Sequence, residues 1–218
     1  MDKLVIEPIN HFSGSVNLPG SKSLSNRALL LAALAEGETH LENLLLSEDT
    51  ERMLNALSQF GITITFINEL SGLKSDQPTT QCIVTGNGRL FTPPNEGHFS
   101  LGNAGTAIRP LTSILSLCPG TFTIDGDQYM RERPIAHLTE ALVKLGARIS
   151  YLGKEGCPPI RVEGGAITGG RVSVRGDISS QYLTSLLMSL PLAPKDSEIS
   201  IIGDQVSKPY LDITLDIM

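Results

Sequence analysis

Apolar and polar stretches follow one another along the chain in an order that repeats. A turn rich in small, hydroxyl-bearing or glycine residues comes first, then an apolar helix, a strand, and a second helix stopped by glycine ahead of a β-rich run. In the first copy these are the turn at residues 20–23, a helix at 24–35, a strand at 39–46, and a helix over 53–60 with Gly61 behind it and a strand from Ile62. In the second they are the turn at 102–106, a helix at 107–117, a strand at 121–125, and a helix over 138–145 closed by Gly146. Gly61 and Gly146 stand where a helix end takes up the left-handed conformation. Short strands at 81–85 and 160–163 close these two copies. A third copy opens at Ser179-Ser180-Gln181, continues with a helix at 182–190 and a strand at 198–202, and reaches a second helix at 209–218. The pattern predicts an α/β domain of about three β-α-β-α-β-β units, the last incomplete. A second helix without its cap and partner strand predicts a polypeptide that continues past Met218.

Each copy starts its first helix with residues suited to an anion, because free N–H groups and the helix dipole favour negative charge there. In Pro19-Gly20-Ser21-Lys22-Ser23-Leu24-Ser25-Asn26-Arg27, Gly20 allows close backbone approach, Lys22 is a point charge, and Arg27 shares a helix face with Ser23. The spacing is not that of a Walker A loop. In Leu101-Gly102-Asn103-Ala104-Gly105-Thr106, two glycines bracket Asn103 and Ala104, and Thr106 is expected to cap the helix. Ser179, Ser180 and Gln181 offer two hydroxyls and a carboxamide. Ordinary capping with solvated charges is the plain alternative for each motif. Arg131-Glu132-Arg133-Pro134 places two arginines around a glutamate, one expected to pair with Glu132 and the other to face a ligand, with Pro134 opening the next helix. Ser207, Lys208 and Tyr210 hold the equivalent place in the third copy. Equivalent placement in a repeat suggests one cleft for a small ligand with two or more acidic groups.

Charge and composition narrow the field. The net charge of −6 is the opposite of a duplex binder's, and aromatic residues at 5% are few for stacking single strands, so no nucleic-acid partner is expected. The 40% hydrophobic and 18% charged fractions are those of a globular protein. Apolar runs fall short of the roughly 18 residues a membrane span needs, and the start lacks a signal-peptide core, so a cytoplasmic protein without a membrane partner is expected. Cys82, Cys118 and Cys157, with His11, His40, His98 and His137, fit neither a zinc spacing nor an even disulfide framework. The expectation is reduced thiols and no metal.

Five ordered segments carry a family resemblance: 19–27, 101–110, Arg131-Glu132-Arg133-Pro134-Ile135, Ser179-Ser180-Gln181, and Val206-Ser207-Lys208-Pro209-Tyr210. They resemble the signatures of EPSP synthases (3-phosphoshikimate 1-carboxyvinyltransferases), and the likeness runs over essentially the whole chain, as the amino-terminal half. It implies one domain of a two-domain enolpyruvyl transferase fold, with residues 1–18 (a strand near 4–7 and a crossover) belonging to the other domain and 19–218 holding shikimate 3-phosphate. The implied reaction moves the enolpyruvyl group of phosphoenolpyruvate to the 5-hydroxyl of shikimate 3-phosphate through a tetrahedral intermediate, with loss of phosphate and no cofactor. Lys22 would be catalytic and touch both substrates. Ser23, Arg27, Ser179, Ser180, Gln181, Ser207 and Tyr210 would hold shikimate 3-phosphate. Asn103, Gly105, Arg133 and Gln181 would border phosphoenolpyruvate, for which glyphosate competes. The catalytic Asp, Glu and Lys of the family fall in the second half, so this half is expected to bind weakly without turnover; the full-length enzyme is expected to be a monomer.

Two other readings compete. A transferase acting on a UDP-linked amino sugar shares the fold and carries a reactive Cys in a loop near the place of Gly120, and Cys118 lies close by. A non-catalytic anion-binding module is the other.

Overall fold

Some helices of this chain are buried on every side and some on one stripe only, and that difference sets the architecture. The structure, a computed structural model, describes residues 4–5, 7–16, 18–67, 80–88, 90–91 and 96–218. The first copy comprises α1 (Lys22–Leu34), β1 (Glu36–Leu44), α2 (Glu48–Gln59), β2 (Thr63–Ile67) and β3 (Thr80–Asn87). The second comprises β4 (Glu96–Ser100), α3 (Gly105–Leu117), β5 (Gly120–Asp125), a 3-10 turn (Met130–Glu132), α4 (Ala136–Lys144), β6 (Arg148–Tyr151) and β7 (Ile160–Gly164). The third comprises β8 (Gly170–Arg175), α5 (Ser180–Ser189), a 3-10 turn (Leu190–Leu192), β9 (Ser197–Ile202) and α6 (Lys208–Ile217).

The sheets confirm the repeat. The second copy orders its strands β4-β5-β7-β6, with β4 parallel to β5 and the other pairs antiparallel. Among the described residues the first copy shows the same sheet without its parallel strand, β1-β3-β2. The third shows only the parallel pair, β8-β9. Strands β4 and β8 are additions to the sequence reading. The strand expected at 4–7 does not form at Leu4, Val5 or Glu7, where Leu4 is 84% exposed, and Ile6 lies outside the described residues.

Helix α3 is buried at every residue except Thr106, and α1 and α5 are nearly as enclosed. A helix apolar on all sides belongs inside. By contrast α2 buries a stripe of Thr50, Met53, Ala56 and Leu57, starts on a Ser47–Thr50 capping box, and carries Glu48, Asp49 and Glu51 in its first turn, where the dipole favours them. Helices α2 and α4 end as expected, with Gly61 at φ +76° and Gly146 at φ +107°. The sheets turn one face inward, through Cys82 and Val84 of β3, Phe122 and Ile124 of β5, and Ile160 and Val162 of β7. Phe60, just beyond α2, stacks on Phe91 at 4.4 Å between centroids and meets Phe99 of β4 at 4.8 Å, which welds the first copy to the second.

The closing strands lie hard against the ends of the inner helices. A Cβ at Gly86 of β3 would come within 3.0 Å of the Ala32 and Ala35 carbonyls of α1, and one at Gly164 of β7 within the same distance of the Leu115 and Cys118 carbonyls of α3. Only glycine permits that seating.

Candidate functional site

The first turns of α1, α3 and α5 meet, joined by side chains that reach from one helix to the next. Asn26 Nδ2 donates to Thr106 Oγ1 at 2.7 Å, Arg109 Nη1 to Gln181 Oε1 at 2.6 Å, and Arg27 Nη2 to Thr184 Oγ1 at 3.5 Å. Three positive helix ends therefore face one region. Helix α3 begins after Ala104 without a side-chain cap, so Thr106 is not the cap the sequence suggested; it receives the Asn26 amide instead.

Arg27 is 4% exposed, and among the described residues none of its partners is a carboxylate. Its Nε donates to Thr214 Oγ1 at 2.9 Å, its Nη1 to the Ser23 carbonyl at 2.9 Å, and the Tyr210 ring lies 5.8 Å away. Burial lowers its pKa, while Tyr210 acts in the opposite direction. An arginine stays charged in proteins, so Arg27 is a buried cation facing only neutral acceptors.

Arg109 repeats the arrangement one helix on, at 6% exposure. It donates to the Gly105 and Pro134 carbonyls and to Gln181, lies 5.6 Å from the Tyr182 ring, and leaves a buried Nε without a partner. Burial lowers its pKa, Tyr182 opposes this, and the neighbouring Arg133 lowers it further. Since Gln181 Oε1 accepts from Arg109, the carboxamide NH2 is the end left for a ligand, which makes Gln181 a donor. Arg133, partly exposed, donates to the Asn103 carbonyl at 3.0 Å and to Asn103 Oδ1 at 2.8 Å. Among the described residues, Arg27, Arg109 and Arg133 take part in no ion pair.

Gly105 seats both later arginines. A Cβ there would lie 2.5 Å from Arg109 Nη1 and 2.7 Å from Arg133 Nη2. Gly105→Ala is therefore expected to displace two flexible guanidinium ends, weaken the binding of a small anion such as inorganic phosphate by about tenfold, or ~1.4 kcal/mol, and leave the melting temperature nearly unchanged. Parallel titration and thermal melts of both forms check this.

Other expectations change. Arg131 pairs with Asp125 and Glu132 with Lys154, so the expected pairing of Glu132 with an arginine does not form. Pro134 lies one residue ahead of the α4 N-cap, Ile135, rather than opening the helix. Lys22, half exposed at the start of α1, pairs with Asp49 at 3.0 Å, an exchange a ligand can make cheaply because exposed pairs are worth about 0–1 kcal/mol. Gly20 does approach backbone closely, but that of Asn43 and Leu45. Ser179 caps α5 by accepting from Gln181 N at 3.2 Å, and Ser180 is buried in its first turn. Ser207 precedes α6 at φ +54°, and its backbone carbonyl, not its hydroxyl, accepts from Tyr210 N at 3.1 Å. Among the described residues no hydrogen bond joins Ser207 to Ser179 or Ser180.

The residues that sequence reasoning missed are Asn26, Arg109, Thr184 and Thr214. Arg109 had a signal, an arginine four residues after a motif glycine, as Arg27 is four after Ser23. Cys118 is fully buried, and burial pushes its thiol up to about 12, against a weaker downward pull from the Phe91 backbone. That is no reactive cysteine. No group of three or more potential ligands could hold a metal, and no helix is long and apolar enough to cross a membrane, among the described residues.

Comparison with known proteins follows the same lines. The model of the family "EPSP synthase (3-phosphoshikimate 1-carboxyvinyltransferase)" matches residues 6–218. The chain is 51% identical over 218 residues to a 3-phosphoshikimate 1-carboxyvinyltransferase of Sulfurovum sp. (strain NBC37-1) and 53% identical over 218 residues to one of Tolumonas auensis, covering 100% of this chain and 49% of each relative. It thus spans about half the length of the curated relatives it matches. An Acinetobacter baumannii EPSP synthase structure is similar at a TM-score of 0.73 and 27% identity, over 88% of this chain and 41% of that one. The enolpyruvyl transferase NikO of Streptomyces tendae shares the fold at a TM-score of 0.58 and 13% identity, over 93% of this chain and 43% of that one.

Proposed function

We propose, because this chain belongs to the EPSP synthase family, that its cleft binds shikimate 3-phosphate and phosphoenolpyruvate for transfer of the enolpyruvyl group to the 5-hydroxyl. The observation that carries the reading is the set of three guanidiniums, Arg27 and Arg109 in the inner helices and Arg133 against Asn103 of the glycine turn, that make no ion pair among the described residues. Anions are the partners such cations lack. Arg27, with Ser23, Ser179, Ser180, Gln181, Ser207 and Tyr210, holds shikimate 3-phosphate. Arg133, with Asn103 and Gly105, borders phosphoenolpyruvate, and Lys22 leaves Asp49 to meet both substrates. The 5-hydroxyl oxygen bonds to C2 of phosphoenolpyruvate as its proton passes to a base and the methylene carbon takes up a proton, which gives a tetrahedral intermediate; the C2–O bond to phosphate then breaks as the methyl carbon gives up a proton, and phosphate leaves with the double bond restored. The residues of this chain align two anions and neutralise the charge they bring together. General acid–base groups belong to the half of the relatives' length that this chain does not span. Glyphosate enters at the phosphoenolpyruvate side, and the location is the cytoplasm.

Titration with shikimate 3-phosphate, and in parallel with a UDP-linked amino sugar, tests this. The expected result is saturable binding of shikimate 3-phosphate, weakened about tenfold by Arg27→Ala or Ser180→Ala. Binding of the UDP-sugar alone would overturn the reading.

A further inference from the structure

We propose that Asp125 is a positioning residue that selects which arginine of Arg131-Glu132-Arg133 faces the cleft, by holding Arg131 in a two-pronged ion pair. The proposal rests on the reading that Arg133 meets the phosphorylated donor.

Asp125 ends β5 and is 8% exposed. Its Oδ1 accepts from Arg131 Nε at 3.0 Å and from the Gly126 N–H at 2.7 Å, and its Oδ2 accepts from Arg131 Nη2 at 2.5 Å. A planar guanidinium facing both oxygens is the strong form of this pair. Burial pushes the carboxyl up, but the Arg131 hydrogen bonds and the Gly126 N–H outweigh it, with Arg131 and His98 adding favourable charge, and hold it below the usual carboxylate range. The carboxylate is therefore ionised at neutral pH.

The same residue stands where the two segments of the donor side join. Its carbonyl accepts from Leu101 N at 2.9 Å, and Asp127 N donates to the Gly102 carbonyl at 3.1 Å, which ties the 126–133 segment to the glycine turn. Asp127 Oδ1 accepts from Met130 N at 2.8 Å, and Arg133 N donates to the Met130 carbonyl at 3.0 Å, which winds the 3-10 turn. Arg131 thus turns back to β5, Glu132 turns out to Lys154, and Arg133 reaches Asn103 with its charge uncompensated. Two of three adjacent charges are neutralised, and the one left over points at the Gly105 turn. With Asp125 uncharged, the half-exposed Arg131 becomes free to compete for Glu132, and the turn that aims Arg133 loses its anchor.

Nitrogen-labelled arginine side-chain spectra of the chain read this without ligand, and titrations with inorganic phosphate and phosphoenolpyruvate read it with one. Asp125→Asn is expected to move the Arg133 Nε signal toward that of a solvent-exchanging guanidinium. It is expected to raise the dissociation constants for phosphate and phosphoenolpyruvate about fivefold, and that for shikimate 3-phosphate less than about twofold. In an Arg133→Gln background the further effect of Asp125→Asn on these titrations is expected to vanish, an outcome that general loosening would not give. If Asp125→Asn does not fold, Arg131→Gln removes the pair from its exposed side and carries the same expectations. An unmoved Arg133 signal with Arg131 released would overturn the proposal, as would equal losses with and without Arg133. Failure of the wild-type chain to bind either anion would count against the functional reading, while the ligand-free Arg133 signal still decides the positioning role.

Discussion

Gly164→Ala should lower the melting temperature of the chain by roughly 10 °C. Gly164 ends β7, where the strand rides over the last turn of α3, and the next N–H, of Gly165, donates to the Ser116 carbonyl at 3.1 Å. An added Cβ meets two backbone oxygens, of Leu115 and Cys118, which cannot swing aside as a side chain does. Either β7 lifts, and the buried contacts of Ile160 and Val162 loosen, or the end of α3 gives way. Overpacking of this kind costs about 3 kcal/mol, and a chain of this size loses roughly 2–4 °C per kcal/mol. Gly153→Ala, which meets only a Pro159 ring carbon at 3.3 Å, is the control and should stay within about 0.5 kcal/mol. Thermal melts by circular dichroism compare the three. A Gly164→Ala chain that melts with wild type would mean that β7 does not depend on this close seating. Gly86→Ala should behave as Gly164→Ala does, because Gly86 holds the same place against α1.

That paired glycine belongs to the repeat, yet sequence reading found the repeat through other residues. Gly61 and Gly146 were legible because helix ends demand a positive φ, a local requirement that leaves a local mark. Gly86 and Gly164 sit within strands for a tertiary reason, contact with another element's carbonyls, and nothing adjacent in sequence announces it. Strand β8 did carry a signal, since Val172 and Val174 alternate inward between exposed Arg171, Ser173 and Arg175, but the run is short and opens on two glycines. Strand β4, Glu-Gly-His-Phe-Ser, buries Phe99 and has no apolar alternation to read.

The site divides in the same way. Arg27 and Arg133 were legible because they stand in polar, hydroxyl-rich or charged segments, where a cation invites the question of its partner. Thr106 was read as a cap because a hydroxyl before an apolar run is usually one, whereas α3 begins earlier, at Gly105, and frees that hydroxyl for Asn26. Asp125 was invisible as a site residue because its partner lies six residues on, across a turn whose shape the sequence does not fix. Arg109 was hidden by its company, an apolar helix in which a lone charge reads as a surface residue, although the helix has almost no surface.

Arg109 is therefore where stability and binding should part. On the function proposed above, Arg109→Met is expected to leave stability unchanged or slightly raised while weakening the proposed binding of phosphoenolpyruvate roughly 100-fold. The stability side follows from burial: a 6% exposed guanidinium, with no carboxylate and an orphaned Nε, gives up hydration for a handful of neutral acceptors. Replacing such a group by an apolar chain of similar length is often neutral or favourable, and methionine adapts to irregular space. The binding side follows from charge. A cation about 6 Å from an anion contributes about 3 kcal/mol at an effective dielectric near 20, which is about two decades of affinity. Its loss also frees Gln181 Oε1 from its 2.6 Å hydrogen bond, so the carboxamide can turn its oxygen toward the ligand. Denaturant unfolding and phosphoenolpyruvate titration on the same preparation separate the cases. Falls in both would make Arg109 a structural strut between α3 and α5. Unchanged affinity would mean that its charge is not felt in the cleft. Only a loss of affinity without a loss of stability fits a cation kept buried and unpaired for the sake of an anion.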